Sequence, residues 1–482
     1  MTGRAVRAVL PALGLGAAYS IAILVGRSTR VDGGEISLAW PAAAVAVLWG
    51  LYASSLPRRA GTTHWVLLGV LTCGVNLTTG ASMSLAVWFV GVNLAMAAVV
   101  TVVLRYGERP VALRDPADLG RLVVAVAAGT LVAAGLAVVF FAATGHEDLR
   151  ETFALFAVRN AMAVLAGVAV ALRLRHATWR RPEPTGARVL ESVACLAVVV
   201  WVFARVFWFN PGLPLAFAVM VPAMWVSLRF STTVATLFLL AAGISIVWAT
   251  LLDRGALRGI SIREQALLAQ GMVACLTLVV LTLALFRDSR NDLIGQLRHL
   301  ALHDPLTGLA NRTLLTERLE RALATGGAGT VGVVVLDLDG FKVVNDAWGH
   351  DEGDLLLVEI ARRLVAVTGP GDTVARFGGD EFVVLHRGLT DPRELELCAE
   401  RIRRAVGQPY GQASDAPYDR ITASIGTAVS EPGCTPRSLV NRADQAMYDA
   451  KRAARRDLRA PAARAARSSA GTRAAAGGPA RG

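Results

Sequence analysis

Two adjacent carboxylates behind two glycines, in Arg376-Phe377-Gly378-Gly379-Asp380-Glu381-Phe382, are the residues of this chain best suited to chemistry. Glycine tolerates positive φ and lets another molecule approach the backbone closely, so the pair makes a turn that side chains would block. Stretches on either side, 372–376 before and 382–385 after, read as short strands. The element is therefore a hairpin with Asp380 and Glu381 at its tip. Acids held this way suit Mg²⁺ and a triphosphate, because hard cations take oxygen ligands and bridge carboxylate to phosphate. A Gly-Gly hairpin alone is commonly structural, so partners elsewhere must decide.

Three other stretches offer partners. The run Val331–Leu336 is a buried strand by length and β-branching, and it ends in Asp337-Leu338-Asp339-Gly340-Phe341-Lys342. Strand alternation puts Asp337 and Asp339 on one side and Leu338 on the other, so Leu338 presents mainly its backbone. A polar stretch containing Asn345, Asp346, Gly349, His350, Gly353 and Asp354 then opens a helix from Leu355 to Val365. Near the end, 444–455 reads as a helix with Lys451 and Arg455 at i, i+4 on one face. Two aligned cations can clamp phosphates, or they can be a solvated face.

The whole chain divides sharply near residue 288. Of its 37 acidic residues, 24 lie after residue 290, while nine of the ten Trp lie before it. A hydrophobic content of 54% and a mean hydropathy of +0.49 are too high for a soluble protein, so the first part is membrane. The five cysteines show no paired spacing, which argues against a disulfide framework or a zinc site. The net charge of +12 is assigned to Arg in membrane loops and a basic tail rather than to nucleic-acid binding.

Ten apolar segments approach the roughly 20 residues needed to cross a bilayer. They lie near 8–26, 37–55, 64–79, 83–104, 119–143, 153–172, 188–208, 213–228, 232–251 and 265–286, the third and eighth being short, which gives about eight to ten spans. With the N-terminus inside, the inner loops carry Arg4, Arg7, Arg58, Arg59, Arg105, Arg109, Arg114, Arg173, Arg175, Arg180 and Arg181. The outer loops are poorer in Arg, as the positive-inside rule requires. An even span count then leaves the second half in the cytoplasm. Within spans, Arg159 with Asn160, Glu191 and Arg205 are either structural pairs, snorkelling groups or a ligand pocket. After the last span, Leu293, Leu297 and Leu300 make a short heptad-like stripe on a helix leaving the membrane.

Two stretches, Leu38–Ala44 with Trp40-Pro41 and Val221–Phe230 with Pro222 and Trp225, resemble the bacterial membrane-associated sensor family of multi-span input domains. Residues 301–457 resemble the GGDEF domain of the diguanylate cyclase family. That likeness rests on Asp304-Pro305-Leu306-Thr307-Gly308-Leu309-Ala310-Asn311-Arg312, on the Asp337-to-Asp354 stretch, on the Arg376–Phe382 signature and on Tyr448-Asp449-Ala450-Lys451. It implies an all-α polytopic membrane domain over 1–286, a linker helix over 287–303, an α+β ferredoxin-like palm over 304–457 and a disordered Ala/Arg/Gly-rich tail over 458–482.

The resemblance also implies chemistry, the condensation of two GTP into cyclic di-GMP with release of two pyrophosphates. It carries Mg²⁺ or Mn²⁺ onto Asp337, the Leu338 carbonyl, Asp380 and Glu381, with Glu381 as ligand or as base. It places phosphate on Phe341, Lys342, Gly378, Gly379, Lys451 and Arg455, and guanine on Asn345 and Asp354, with His350 nearby. It further implies a homodimer, a multi-pass inner-membrane location in a bacterial cell, and an unidentified sensor ligand. Where relatives carry an Arg-x-x-Asp inhibitory site, this chain has Gly369-Pro370-Gly371-Asp372, so only the acid remains and product inhibition should be weak. The alternative is a non-catalytic GTP or cyclic-dinucleotide receptor, against which the complete acid set argues; a transporter is disfavoured because no charged pathway is evident.

Overall fold

In the computed structural model, residues 3–30, 37, 39–106, 111–145, 148–175, 185–210, 215–324, 330–410 and 421–453 are described. Two compact units divide the chain at Asp292/Leu293. Arg455 and the tail after residue 457 lie outside the described residues.

The first unit is helical: α1 (Gly3–Ser28), α2 (Ala42–Ala53), α3 (Arg58–Thr78), α4 (Met83–Arg105), α5 (Pro116–Ala143), α6 (Leu149–Arg175), α7 (Gly186–Phe203), α8 (Met220–Arg229), α9 (Thr232–Leu251) and the start of α10 (Ile262–Leu302). Seven helices among the described residues are long and apolar enough to cross a membrane. Three of the ten expected spans do not qualify. The second is only the 12-residue α2, because Trp40-Pro41 delays the helix start. The eighth is a 3₁₀ turn (Ala216–Val219) running into the 10-residue α8. The third, α3, has the length but carries Arg58, Arg59, His64 and Asn76.

The charged residues of the spans find different partners from a simple in-span pair. Glu191 accepts from Arg229 Nη2 at 2.9 Å on an exposed face, not from Arg205. Arg205 lies in a π-helical turn (Ala204–Trp208) and donates to the Phe209 carbonyl at 3.3 Å. At the other end of the unit, Asp288 on α10 bonds Arg173 of α6 at 3.1 Å, and Arg287 donates to Thr232 Oγ1 at 3.1 Å. Arg287 also reaches the Ser227 and Phe230 carbonyls, which a helix C-terminus leaves unpaired. These bonds fasten α10 where its lipid-facing run ends. The helix then continues to Leu302 without a break, with Leu293, Leu297 and Leu300 exposed.

The second unit holds α11 (Arg312–Ala324), β1 (Thr330–Asp339), α12 (Phe341–Trp348), α13 (His350–Val367), β2 (Thr373–Gly378), β3 (Glu381–Leu389), α14 (Pro392–Val406) and β4 (Thr422–Val429). A last helix, α15, runs from residue 436 to 453, the end of the described residues. The sheet order is β2-β3-β1-β4, antiparallel throughout. Two βαβ-like halves around two central strands make this the ferredoxin-like palm arrangement implied by the motifs.

Period-two alternation on β1 divides the core. Val334, Leu336 and Leu338 pack on one face with Leu356, Ile360 and Leu364 of α13 and Ile402 of α14. Val331, Val333 and Val335 pack on the other with Leu315 and Leu319 of α11 and Ala443 and Met447 of α15. Because helices cover both faces, β1 reads as a continuous apolar run rather than an alternating one. One boundary differs from the expectation. Helix α13 begins at His350, not at Leu355, because Gly349 at φ 89° breaks α12 and the acids Asp351 and Glu352 favour a helix N-terminus.

Candidate active site

Alternation continues past the apolar part of β1, so Asp337 and Asp339 fall on the face covered by α11 and α15. Asp337 stands directly opposite Glu381 of β3 and Ser424 of β4 in the strand register. Glu381 shares that face with Val383 and Leu385 of its own strand. Helix α15 crosses the same face and delivers Lys451, whose Nζ bonds Asp337 Oδ1. Lys451 therefore sits on the first candidate metal acid. Asp339 is engaged separately, its Oδ1 accepting from Ser424 Oγ at 2.8 Å and its Oδ2 from Thr422 Oγ1 at 3.2 Å.

The hairpin tip needs its glycines: Gly378 has φ 148° and Gly379 φ 53°, values other residues rarely adopt. Asp380 is held to β1 by the Leu338 amide, which donates to its carbonyl at 3.2 Å. The turn is also clamped from behind. Arg376 Nε and Nη2 donate to the Gly379 carbonyl at 3.0 and 2.9 Å, and its Nη1 lies 3.1 Å from Asp304 Oδ1. Asp304 also accepts from the Thr307 amide and hydroxyl at 2.8 and 2.7 Å. Sequence reading quoted Asp304 and Arg376 inside motifs but gave them no task. The signal was a complementary pair of charges bracketing two motifs 72 residues apart.

Burial alone would raise the Asp304 carboxyl, but the Thr307 donors and Arg376 outweigh it and hold it below the usual carboxylate range. A depressed folded-state pKa gives stability that is present above the unfolded value of about 3.9 and lost as pH falls through the folded one. Asp304→Asn is thus expected to lower unfolding stability by about 1–2 kcal/mol at pH 7. The difference from wild type should shrink below pH 4 in urea titrations; a constant difference across that range would refute the charge assignment.

Electrostatics at the tip run the opposite way. Burial, and then the charge of Asp337, pushes the Asp380 carboxyl up. Burial, followed by Asp337, Asp444 and Asp380, does the same to Glu381. Asp444, on the same helix as Lys451, was legible only as a helix residue. Among the described residues, four acids thus face Lys451 and, at Asp380, Arg376, an excess of negative charge that a divalent cation would relieve. Among the described residues, no three acidic, His or Cys side chains converge closely enough to chelate a metal unaided.

A second cluster lies where α12 meets α13. Gly340, at φ 85°, turns the chain so that α12 starts at Phe341; the expected Phe341-Lys342 turn is this helix's first turn, in which the Val343 and Val344 amides donate to the Gly340 carbonyl at 2.9 and 3.3 Å while those of Phe341 and Lys342 come before the first intrahelical bond. Asn345 Oδ1 is buried without a hydrogen-bond partner beside Gly353, while Asp354 and His350 are exposed at the start of α13. No hydrogen bond or ion pair joins this cluster to the carboxylates among the described residues. Asp372 is not an open acid. Its side chain is 4% exposed, accepts from the Gly369 amide at 2.8 Å, and lies 2.8 Å from His386 Nδ1.

Comparison with known proteins matches both units. Residues 301–457 match the family "Diguanylate cyclase, GGDEF domain", and residues 11–291 match the family MASE1. Over 175 residues the chain is 46% identical to the bifunctional diguanylate cyclase/cyclic di-GMP phosphodiesterase MucR of Pseudomonas aeruginosa, covering 36% of this chain and 24% of MucR. Over 170 residues it is 41% identical to the response regulator PleD of Caulobacter vibrioides, covering 34% of this chain and 37% of PleD. The chain thus spans well under half the length of these relatives. Among solved structures, the coiled coil and GGDEF domain of DgcB from Caulobacter crescentus in complex with c-di-GMP aligns at 34% identity and a TM-score of 0.33, over 34% of this chain and 88% of that one. With residues 11–291 matched to a membrane-associated sensor unit and its sheet domain to the GGDEF family, the chain belongs to the MASE1 family and carries a GGDEF domain.

Proposed function

We propose that this chain is a membrane-bound diguanylate cyclase that condenses two GTP into cyclic di-GMP and two pyrophosphates. The observation that carries this reading is Asp337 standing opposite Glu381 at the ends of the two central strands, with Lys451 bonded to Asp337 and Asp380 next to Glu381 in the turn. Asp337, the Leu338 carbonyl, Asp380 and Glu381 are the groups that would hold Mg²⁺ or Mn²⁺. When bound, such an ion neutralises the triphosphate and orients its α-phosphorus.

The chain's own residues do the rest. Lys451 neutralises Asp337 in the free protein and supplies positive charge beside the phosphates, a task Arg455 would share. The free amides at the start of α12, with Lys342 and the Gly378-Gly379 backbone, offer donors to phosphate oxygens. Asn345 Oδ1 lacks a donor and Asp354 is open, so together they can accept from the N1–H and 2-amino group of guanine, with His350 beside them. Each 3′-hydroxyl attacks the other nucleotide's α-phosphorus; the new O–P bond forms as the bond to the pyrophosphate oxygen breaks. The raised proton affinity of Glu381 suits it to take the 3′ proton, and its place opposite Asp337 equally suits it to ligate. The pH profile of Glu381→Gln separates the two roles.

One domain positions one GTP, so the active unit is a two-fold homodimer with facing half-sites. Placing the Arg-rich loops inside puts this half of the chain in the cytoplasm, where GTP is, and lets the membrane unit control how often half-sites meet.

The test is direct. The purified full chain, reconstituted in lipid and given GTP and Mg²⁺, is expected to yield cyclic di-GMP and pyrophosphate in a 1:2 ratio. GTP binding without turnover at high protein concentration would favour a receptor instead. Because Asp372 is buried and Gly369 replaces the usual Arg, added cyclic di-GMP is expected to leave initial rates within about twofold of the uninhibited value. Submicromolar inhibition would contradict this.

A further inference from the structure

Lys451 holds an oxygen that the proposed metal site needs. Its Nζ bonds Asp337 Oδ1, and the two side chains are 25% and 13% exposed, so water screens the pair only in part. The charge of Lys451 reaches further than this bond. Burial and the Asp337 charge push Asp380 and Glu381 up, and against them Lys451 pulls both carboxyls down. Asp339, two residues along β1, is tied instead to the hydroxyls of Ser424 and Thr422. Asp337 is thus held by a cation on a flexible stem, not by a fixed hydroxyl. The backbone behind that stem is fixed. Ala443 and Met447 of α15 pack so closely on Gly426 of β4 that a methyl group there would lie 2.2 and 2.1 Å from their backbone atoms. Strand β4 pairs with β1 from Gly332 to Asp339, so α15 and Asp337 belong to one packed body. The ammonium leaves Asp337 only by moving its own four-carbon side chain.

An ammonium has three donors and no acceptor, so it and a divalent cation repel each other when they share one carboxylate oxygen. A free ion arriving at the tip therefore meets a carboxylate already neutralised in part. A triphosphate changes that balance, because its oxygens draw the same ammonium away. We propose that Lys451 couples metal binding to nucleotide binding: it blocks Asp337 against a free divalent cation and yields the oxygen when a triphosphate arrives. This rests on the GTP reading given above and adds an order of events to it. The ion enters with the nucleotide rather than ahead of it. By linkage the two affinities rise together by one factor, so the ion also tightens the nucleotide. Lys342, exposed at the start of α12, carries the same charge but is not the residue bonded to Asp337. It separates a specific contact from the general effect of positive charge.

The test uses the full chain in lipid nanodiscs and counts bound Mn²⁺ by electron paramagnetic resonance, first without nucleotide. Lys451→Met is expected to bind Mn²⁺ at least about tenfold tighter than wild type. Lys451→Arg, which keeps the charge, and Lys342→Met, which removes a charge elsewhere, should both stay within about threefold of wild type. Adding Asp337→Asn to Lys451→Met should abolish the gain. If Lys451→Met fails to fold, Lys451→Gln takes its place, since the amide keeps a donor for Asp337 without the charge. The second measurement is the affinity for GTP with a methylene bridge between its α and β phosphates, which cannot lose pyrophosphate, with and without Mn²⁺. The gain from Mn²⁺ should be smaller in Lys451→Met than in wild type, by the factor read in the first titration. The proposal is overturned if Lys451→Met and Lys451→Gln bind Mn²⁺ as wild type does, if Lys342→Met tightens it equally, or if the gain survives Asp337→Asn. Analogue binding with the same gain from Mn²⁺ in both chains overturns the coupling alone. If wild type binds no analogue even with Mn²⁺, the GTP reading itself falls and takes the coupling with it.

Discussion

Asp380→Asn is expected to leave the protein folded and to slow cyclic di-GMP formation by more than about 100-fold. The amide keeps the size of the side chain and removes one of the charges that crowd the hairpin tip. Since burial and Asp337 already push the Asp380 carboxyl up, losing its charge relieves repulsion, and the melting temperature should stay level or rise. Activity and stability therefore move in opposite directions, which general damage to the fold cannot produce. Asp337→Asn should show the same loss of rate but no gain in stability, because Lys451 loses its partner. Asp339→Asn is the control. Its carboxylate is occupied by Ser424 and Thr422, so its rate should fall less than about tenfold if the metal acids are those assigned here. Initial rates by product chromatography, set beside melting curves for the three variants, check the scheme. A near-normal rate for Asp380→Asn would remove the metal site from the mechanism.

Gly426→Ala is expected to cost about 3 kcal/mol or more and to disable the site from a distance. Gly426 lies on β4 on the face covered by α15, opposite Val335 in register. A methyl group there would lie 2.1 Å from the Met447 amide nitrogen and 2.2 Å from the Ala443 carbonyl oxygen. These are backbone atoms of α15, so no rotamer change relieves the clash; the helix itself must move. Lys451 lies one turn beyond Met447 on that helix, so displacing α15 withdraws the lysine from Asp337. Urea unfolding of Gly426→Ala compared with Gly371→Ala, whose added methyl meets nothing within 4 Å, isolates the packing effect. Equal stability of the two variants would mean that α15 does not pack on Gly426 as described.

Much of the membrane unit was legible because a helix in lipid must be long and apolar, and length and composition are local properties. The same rule misjudged α2, where Trp40-Pro41 shortens a helix inside an unbroken apolar run. It also set Glu191 and Arg205 together because they share a segment. The structure pairs Glu191 with Arg229, 38 residues away, since a carboxylate takes the cation that packing brings near rather than the one close in sequence. At the GGDEF hairpin, Gly378, Gly379, Asp380 and Glu381 were readable as a candidate site because the turn's positive φ values require glycine. The clamp from Arg376 to Asp304 was not, since nothing local in either stretch calls for the other.

By itself the sequence determined the division into a lipid-facing part and a charged part, the strand ending in Asp337, and the hairpin carrying two acids. Each follows from hydrophobic period, chain length or backbone conformation, which act over a few residues. Only the tertiary structure decided that Asp337 faces Glu381, that Lys451 reaches Asp337, and that Asp372 is buried rather than open. Those arrangements depend on strand register and on how closely helices pack. Register and packing are set by contacts between residues tens to hundreds of positions apart, and no window of sequence contains both partners.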